Sequence, residues 1–315
     1  TLLIMKKLIE VFLPLVITLS LFAESPAIVI HGGAGWFSNM SPDEIKDLKK
    51  GLKMAADKGF EILENGGSSV DAVEAAIIIL EDNPLFNAGR GSVYTSEERQ
   101  EMDASIMTGK DNEAGAVSSV TNVKNPISLA RHVMEETPHV MFTSRGAEKL
   151  ARDNNIEQVE QSYFANPERL KSLKKAQKNK KGTVGVVAID KNRVITAGTS
   201  TGGMTNKAPG RVGDSPIIGA GTWVENNSCG VSATGHGEYF IRFSVAKEIC
   251  VKARYQNKSI QQASTEVMNQ LKEIGADGGV IVMDNKGNYA FAFNTPAMAR
   301  AYKDASSEII KIYKN

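Results

Sequence analysis

The segment Lys180-Lys181-Gly182-Thr183-Val184-Gly185 joins two parts of the chain that differ sharply in composition. Before it, basic side chains crowd residues 167–182 with one acidic neighbour, Glu168. Like charges repel one another, so this stretch predicts an exposed linker, with a solvated helix as the alternative. After it, residues 183–189 and 194–199 are β-rich runs around a four-residue turn, which predicts a hairpin.

Outward from this hairpin, the pattern predicts helices packed outside largely antiparallel sheets. A capping sequence, Ser41-Pro42-Asp43-Glu44, opens one amphipathic helix, and further helices are predicted at 69–80, 126–136, 237–251 and 259–274. Additional strands are predicted at 27–30, 102–107, 114–120, 140–142, 217–224, 229–234, 279–283 and 288–294. Together these elements predict the α+β class, in a four-layer α/β/β/α sandwich.

Composition excludes several functional classes. The chain has 315 residues, of which 42% are hydrophobic and 23% charged, and its net charge is +1, so no nucleic-acid partner is expected. Two cysteines are too few for a zinc ribbon or an iron–sulfur site. A dinucleotide site at His31-Gly32-Gly33-Ala34-Gly35 is disfavoured, because the third glycine and the later acidic residue are missing.

The N-terminus is typical of a secretory signal. Two lysines follow Met5, residues 11–22 are mostly apolar, and Ala23 precedes a polar stretch. We therefore predict a signal peptide over residues 1–23, with 1–4 as an upstream extension, and an exported protein, periplasmic or secreted. The alternative is a membrane anchor or a buried helix, although the apolar run is short for a span.

Thr183 is a candidate nucleophile. A threonine hydroxyl can attack a carbonyl when a base lies within hydrogen-bond reach, and an N-terminal threonine carries its own base, the α-amine. The reference pKa of an α-amine is about 8, so it can accept a proton near neutral pH. Taken alone, a Gly-Thr pair at the start of a strand is weak evidence for a nucleophile and favours a structural explanation, because threonine favours strands and glycine ends linkers.

Four further blocks decide between these interpretations. They are Asn87-Ala88-Gly89-Arg90-Gly91, Thr199-Ser200-Thr201-Gly202-Gly203-Met204-Thr205-Asn206-Lys207, Pro209-Gly210-Arg211-Val212-Gly213-Asp214-Ser215-Pro216 and Ala233-Thr234-Gly235-His236-Gly237-Glu238. In this order they resemble the plant-type L-asparaginase/isoaspartyl peptidases of the N-terminal-nucleophile hydrolase superfamily. The resemblance implies the four-layer fold of that superfamily, with autoproteolysis between Gly182 and Thr183.

The resemblance also implies roles for individual residues. Cleavage would give an α subunit of 24–182 and a β subunit of 183–315, which together make one domain. Thr183 would be the nucleophile, with Thr201 steadying it and Asn87 orienting the junction. Thr234 and Gly235 would supply the oxyanion hole. The substrate anchors would be Arg211 for the α-carboxylate, and Asp214 with the Gly237 carbonyl for the α-ammonium.

Alternatives exist for these assignments. Arg211 and Asp214 could form an ordinary surface pair, and the threonines and glycines could be routine strand and turn residues. His236 is expected to be a surface histidine. No cofactor is required, but the resemblance implies a structural sodium ion held by backbone carbonyls of the turn at Leu80, Glu81, Asn83, Phe86, Ala88 and Arg90.

The implied activity is hydrolysis of β-aspartyl bonds in L-asparagine and isoaspartyl dipeptides, by a homodimer of α–β units. One alternative is a glycosylasparaginase, although that branch usually has Asp before the nucleophile and Asn at the position of Gly202. Another is a non-catalytic protein that binds an aspartyl ligand.

The two cysteines are expected to be free thiols despite export. A strand at Cys229 and a helix at Cys250 would lie in layers about 10 Å apart, whereas bridged cysteines need Cα atoms within about 7 Å.

Overall fold

The computed structural model of this protein describes residues 25–35, 37, 40–175 and 182–314. The predicted signal peptide, residues 1–23, lies outside the described residues, and so does the basic stretch 176–181. No helix within the described ranges is long and apolar enough to cross a membrane.

The strands of the described residues form two sheets. In chain order they are β1 (Ala27–Gly35), β2 (Met102–Thr108), β3 (Ala114–Val120), β4 (Met141–Thr143), β5 (Val184–Ile189), β6 (Ile195–Thr201), β7 (Thr222–Glu225), β8 (Cys229–Gly235), β9 (Gly278–Asp284), β10 (Tyr289–Phe293), β11 (Ala297–Lys303) and β12 (Glu308–Tyr313). The larger sheet has the order β12-β11-β1-β5-β6-β2-β3-β4, and the smaller one β10-β9-β8-β7. Neighbours are antiparallel except β3 and β4.

The helices cover the outer faces of both sheets. They are α1 (Pro42–Glu64), α2 (Ser69–Glu81), α3 (Pro126–Glu136), α4 (Ser144–Asp153), α5 (Pro167–Lys174), α6 (Gly237–Arg242), α7 (Val245–Tyr255) and α8 (Ile260–Glu273). The predicted start of α1 is confirmed: Ser41 and Glu44 form a capping box, and Pro42 occupies the first turn.

Side chains alternate between layers, as strand geometry requires. In β1, Ile28 and Ile30 pack against the helices on the larger sheet, whereas Val29 faces the smaller sheet. In β9, Val282 packs toward α7 and α8, whereas Ile281 faces the larger sheet. Three apolar layers therefore lie between four layers of secondary structure, which confirms the predicted α/β/β/α sandwich.

The first half of the basic segment is a helix, not a linker. The Asn166 side chain accepts hydrogen bonds from the amides of Glu168 and Arg169, which caps α5 with Pro167 at its first position. The Arg169 guanidinium donates to the carbonyls of Gly91 and Leu85, at 3.0 Å each. These tertiary bonds fix a helix where charge repulsion alone predicted an exposed linker.

Three further element predictions are corrected. The helix predicted over 237–251 is divided between α6 and α7, because Ser244 adopts φ 47°, a left-handed conformation. The strand predicted over 217–224 begins only at Thr222. Strands β11 and β12 were not predicted, and they extend the larger sheet beyond β1.

The prediction of free thiols is wrong, because Cys229 and Cys250 form a disulfide with their Cα atoms 5.5 Å apart. The layer spacing of about 10 Å used in that prediction is the distance from a helix axis to a sheet. A Cα atom on the inner face of the helix lies about 2.3 Å closer to the sheet than the helix axis does. The turn before β8 also approaches α7, since the Ser228 hydroxyl donates to the Cys250 carbonyl at 3.1 Å.

Reduction of this disulfide is expected to lower the free energy of unfolding by about 3 kcal/mol, because the bond closes a loop across a sequence separation of 21 residues. Urea unfolding with and without a reductant measures the difference. The double variant Cys229→Ser with Cys250→Ser is the control and should not respond to reductant. An unchanged midpoint in protein whose thiols titrate as free would contradict the prediction.

Candidate active site

The pairing of β5 with β6 places the candidate nucleophile. Val184 lies opposite Ser200 in this antiparallel pair, so Thr183, just before β5, is next to Thr201 at the end of β6. The Thr183 hydroxyl donates to Oγ1 of Thr201 at 3.0 Å. Thr183 is only 6% exposed. The register of the hairpin therefore brings together two hydroxyls that lie 18 residues apart in sequence.

The carbonyl of Gly182 accepts two hydrogen bonds. One comes from Asn87 Nδ2, and the other from the Thr201 hydroxyl at 3.1 Å. Two donors polarise a carbonyl toward the charge distribution that develops when a nucleophile attacks it. The peptide bond that precedes Thr183 is thus held in an activating environment.

Asn87 and Thr201 are themselves held firmly. Asn87 Nδ2 also donates to the Gly203 carbonyl at 2.7 Å, and its Oδ1 accepts from the Val93 amide at 3.0 Å. Thr201 Oγ1 accepts from Thr183 and from the Gly203 amide, 2.9 Å away, and donates to Gly182. Its one proton and both lone pairs are therefore used.

The two residues predicted to form the oxyanion hole end strand β8. Gly235 borders the same small cleft as Thr183, Thr201 and Asp214. A Cβ at Gly235 would lie 2.6 Å from the Asp277 carbonyl oxygen, so only glycine fits. The Thr234 hydroxyl is fully buried and has no hydrogen-bond partner among the described residues. A buried hydroxyl without a partner costs about 1–3 kcal/mol, which indicates a donor kept for another molecule.

Arg211 lines the cleft but does not form the surface pair with Asp214 that was considered as an alternative. Its Nε and Nη2 donate to the two carboxylate oxygens of Glu238, at 2.9 Å each. Nη1 lies on the other side of the guanidinium, close to Gly213, since a Cβ at Gly213 would be 2.8 Å from Nη1. Sequence analysis missed Glu238 as a partner of Arg211, although it lies at the end of a matching block.

Asp214 is 4% exposed, and its Oδ2 has no hydrogen-bond partner in the part of the chain that the structure describes. Burial raises the pKa of Asp214 to about 7, against the opposing effect of Arg211. A Cβ at Gly237 would lie 2.9 Å from Asp214 Oδ1, so the backbone of Gly237 closely approaches this carboxyl group. Asp214 and Gly237 together provide a carboxylate and a neighbouring backbone. This arrangement suits a ligand that carries a positively charged group.

His31, in β1, was not predicted as a site residue, because the four histidines of the chain are scattered along the sequence. It is fully buried, and its Nδ1 lies 3.0 Å from the Thr183 carbonyl oxygen. Burial lowers the pKa of His31 to about 3, so the ring is neutral near neutral pH. No local sequence pattern could have indicated this contact, because the two residues are 152 positions apart.

The turn after α2 has the shape of an oxygen-lined cradle. A Cβ at Gly89 would lie 2.5 Å from the Glu81 carbonyl oxygen, and one at Gly91 would lie 1.9 Å from that of Phe86. Two of the carbonyls assigned to the ion also accept hydrogen bonds within the turn: that of Asn83 from the Phe86 amide at 3.2 Å, and that of Ala88 from the Gly91 amide at 3.0 Å. Within the described ranges, no cluster of His, Cys, Asp and Glu side chains could hold a metal.

His236 is half-buried. Its Nε2 lies 3.7 Å from Glu238 Oε2, and its ring packs edge-on against Tyr239 with 4.9 Å between centroids. The histidine therefore lies beside Glu238, the residue that holds Arg211.

Comparison with known proteins agrees with this geometry. Residues 24–181 and 173–311 match the asparaginase family. The isoaspartyl peptidase of Escherichia coli (strain K12) is 42% identical over 294 residues, which cover 87% of this chain and 92% of that protein. This chain belongs to the asparaginase family.

Animal members of the asparaginase family are about as similar. The isoaspartyl peptidase/L-asparaginase of Bos taurus is 41% identical over 286 residues, covering 87% of this chain and 92% of that protein. The isoaspartyl peptidase/L-asparaginase of Rattus norvegicus is 42% identical over 285 residues, covering 87% of this chain and 85% of that protein. Family membership confirms the predicted relationship and the predicted sandwich fold.

Proposed function

We propose that this chain is a threonine-dependent amidohydrolase that hydrolyses β-aspartyl bonds in isoaspartyl dipeptides and L-asparagine. The observation that carries the proposal is the Thr183 hydroxyl beside the Gly182 carbonyl, which Asn87 and Thr201 both polarise. The names of the relatives, isoaspartyl peptidase and L-asparaginase, support the substrate class.

Maturation begins with attack of Thr183 Oγ1 on the Gly182 carbonyl carbon. The developing oxyanion is stabilised by Asn87 Nδ2 and the Thr201 hydroxyl. The C–N bond to Thr183 then breaks, and its nitrogen takes a proton and becomes a free amine. Water hydrolyses the resulting ester, which frees the Gly182 carboxylate and the Thr183 hydroxyl.

In turnover, the α-amine of Thr183 accepts the proton of its own hydroxyl as Oγ1 attacks the side-chain carbonyl of the substrate. Thr234 and Gly235 stabilise the oxyanion, and ammonia or an amino acid leaves with the transferred proton. Water then hydrolyses the aspartyl ester on Thr183. The substrate head group is a zwitterion, with its carboxylate at Arg211 and its ammonium at Asp214. Because Glu238 occupies one edge of Arg211, the carboxylate meets the Nη1 side.

Steric crowding at two glycine positions disfavours the glycosylasparaginase alternative. A Cβ at Gly202 would lie 2.7 Å from Asn87 Oδ1 and from Ser92 Cβ, so the asparagine typical of that branch does not fit. At Gly182, a Cβ would lie 3.2 Å from Asn87 Cβ, which leaves little room for aspartate. Both positions favour the plant-type branch.

The direct test is to incubate the purified protein with L-asparagine, an isoaspartyl dipeptide and N-acetylglucosaminyl-asparagine, and to measure aspartate release. We expect turnover of the first two. Exclusive turnover of the third would indicate a glycosylasparaginase. Binding of aspartyl compounds without any hydrolysis would indicate the non-catalytic alternative.

Arg211→Ala is expected to lower kcat/KM by about 10- to 100-fold while leaving cleavage before Thr183 intact. The substrate carboxylate loses its charged hydrogen bond to Nη1, which is worth about 1.5–3 kcal/mol. Arg211→Lys should recover activity only in part, because a point charge does not reproduce the fork. Arg254→Ala is the matched control, because it removes an ion pair between Arg254 on α7 and Glu225 at the end of β7. A normal kcat/KM in Arg211→Ala would place the carboxylate elsewhere.

The KM for L-asparagine is expected to fall as pH rises through about 7. Below this pH, Asp214 is protonated and cannot pair with the substrate ammonium, and above it the carboxylate is available. Asp214→Asn should give a high KM that does not vary between about pH 6 and pH 8. A wild-type KM that is constant over this range would contradict the role of Asp214.

The structural sodium ion, the homodimer and export stay predictions. We propose that sodium binds to the backbone carbonyls of the turn after α2, where it would steady the loop that carries Asn87 without taking part in the reaction. The residues that would hold it are Leu80, Glu81, Asn83, Phe86, Ala88 and Arg90.

A further inference from the structure

A chain of buried hydroxyl groups crosses the interface between the two sheets and ends at His31. Its members alternate between the larger and smaller sheets, and each is fully buried. In order, the links are Ser105 to Thr222 at 2.8 Å, Thr222 to Thr199 at 2.6 Å, Thr199 to Ser232 at 2.7 Å and Ser232 to His31 Nε2 at 3.0 Å. The interior around these groups is otherwise apolar.

The backbone carbonyl at the His31 end sets the tautomer of the ring. The Thr183 carbonyl oxygen can only accept, so Nδ1 of the neutral His31 ring carries the proton. Nε2 must then accept from the Ser232 hydroxyl. Ser232 has no second proton, so it accepts from Thr199, and Thr199 accepts from Thr222, whereas Ser105 donates its one proton to a backbone carbonyl. The Thr183 carbonyl at Nδ1 and the Ser232 hydroxyl at Nε2 therefore fit one tautomer of His31.

The chain of hydroxyl groups also connects the nucleophile side of the site, at Thr183, with the substrate-binding side, at Asp214. The Ser105 hydroxyl lies 2.5 Å from the carbonyl oxygen of Ser215, which follows the substrate anchor Asp214. At the other end, Gly185 leaves the room that the His31–Ser232 contact needs. A Cβ there would lie 1.9 Å from Ser232 Oγ and 2.3 Å from His31 Nε2.

We propose that His31 is a positioning residue for the nucleophile Thr183, held in its Nδ1–H tautomer by the Thr183 carbonyl at Nδ1 and the Ser232 hydroxyl at Nε2. This inference rests on the proposed function. Cleavage removes the covalent link on the N-terminal side of Thr183. The backbone of Thr183 is then held only through the peptide plane on its C-terminal side, which contains the Thr183 carbonyl. A hydrogen bond to that carbonyl fixes the plane, and with it the direction of Oγ1 and the α-amine.

The expected signature is a loss in kcat with little change in KM. The substrate head group is held by Arg211 and Asp214, whereas His31 acts only on the attacking residue. Small misplacements of a reacting group cost large factors in rate. We expect Ser232→Ala to lower kcat by about tenfold, with KM within about twofold of the wild-type value.

The test uses fully cleaved protein and compares Ser232→Ala, His31→Asn and His31→Gln. The asparagine amide can take the place of Nδ1 and donate to the Thr183 carbonyl, whereas the glutamine amide reaches only the position of Nε2. His31→Asn should therefore retain more of kcat than His31→Gln. The matched control is Ser264→Ala, because Ser264 is a fully buried serine in α8 whose hydroxyl donates to the nearby Gln261 carbonyl.

Several outcomes would overturn the positioning role. They are an unchanged kcat in Ser232→Ala, an equal loss in Ser264→Ala, and equal activities of His31→Asn and His31→Gln. A displaced pH profile of kcat in His31→Asn would also contradict it, because it would make His31 a proton-transfer group. The wild type is assayed in the same series: an inactive wild type contradicts the proposed function together with this role, whereas an active wild type with unchanged variants contradicts this role alone.

Discussion

Thr183→Ala is expected to remain one continuous chain and to show no turnover of L-asparagine or an isoaspartyl dipeptide. The variant lacks the hydroxyl that attacks the Gly182 carbonyl, so neither the cleavage nor the catalytic α-amine can form. Because the lost hydroxyl makes one hydrogen bond, to Thr201, the fold should persist.

Electrophoresis and a coupled assay for aspartate check this result. Thr183→Ser is the matched control, since it keeps a hydroxyl and should still cleave, more slowly. Turnover by an uncleaved Thr183→Ala chain would show that another group is the nucleophile.

Thr234→Val is expected to lower kcat by about 100- to 1,000-fold with a smaller effect on KM. The hydroxyl is assigned to the oxyanion, and removal of one such donor typically costs about 2.7–4 kcal/mol of transition-state stabilisation. Valine keeps the shape of threonine but cannot donate. Since the Thr234 hydroxyl is buried without a partner among the described residues, its loss should leave the melting temperature unchanged or raise it.

Steady-state kinetics and thermal unfolding of the cleaved variant separate these effects. Thr234→Ser, which keeps the donor, should retain most of kcat. Thr295→Val is a control at a buried threonine whose hydroxyl donates locally to the Ala297 carbonyl. A Thr234→Val variant with normal kcat, or one that loses stability and activity together, would argue for a purely structural hydroxyl.

The fold was predictable where local signals decide the structure. Ser41 and Pro42 mark the start of α1, and alternation over 102–107 and 114–120 marks β2 and β3, as the structure confirms. Tertiary contacts decided the rest. The helix at 167–174 depends on hydrogen bonds from Arg169 to distant carbonyls. Strand β11 gains its partner from β1, some 270 residues earlier, and β12 then pairs with β11.

The site residues also divide into those that the sequence could place and those whose contacts depend on tertiary packing. Thr183 lies at the start of the predicted hairpin, but the predicted second strand ends at 199, so the placement of Thr201 beside Thr183 also needed the resemblance. The observed strand continues to Thr201, and the hairpin register brings the two residues together. Asn87 needed the resemblance, since it comes from a separate loop. The contacts of His31 and Glu238 could not be predicted, because they depend on how the two sheets and the loops pack. The disulfide was missed for a similar reason, since it depends on how closely α7 approaches β8.

N-terminal sequencing of the smaller fragment of purified, active protein tests the proposed maturation most directly. The expected sequence is Thr-Val-Gly-Val, beginning at Thr183. The same preparation should contain a second fragment that ends at Gly182. An active protein that consists of one uncleaved chain, or a fragment that begins at any other residue, would contradict Thr183 as the nucleophile.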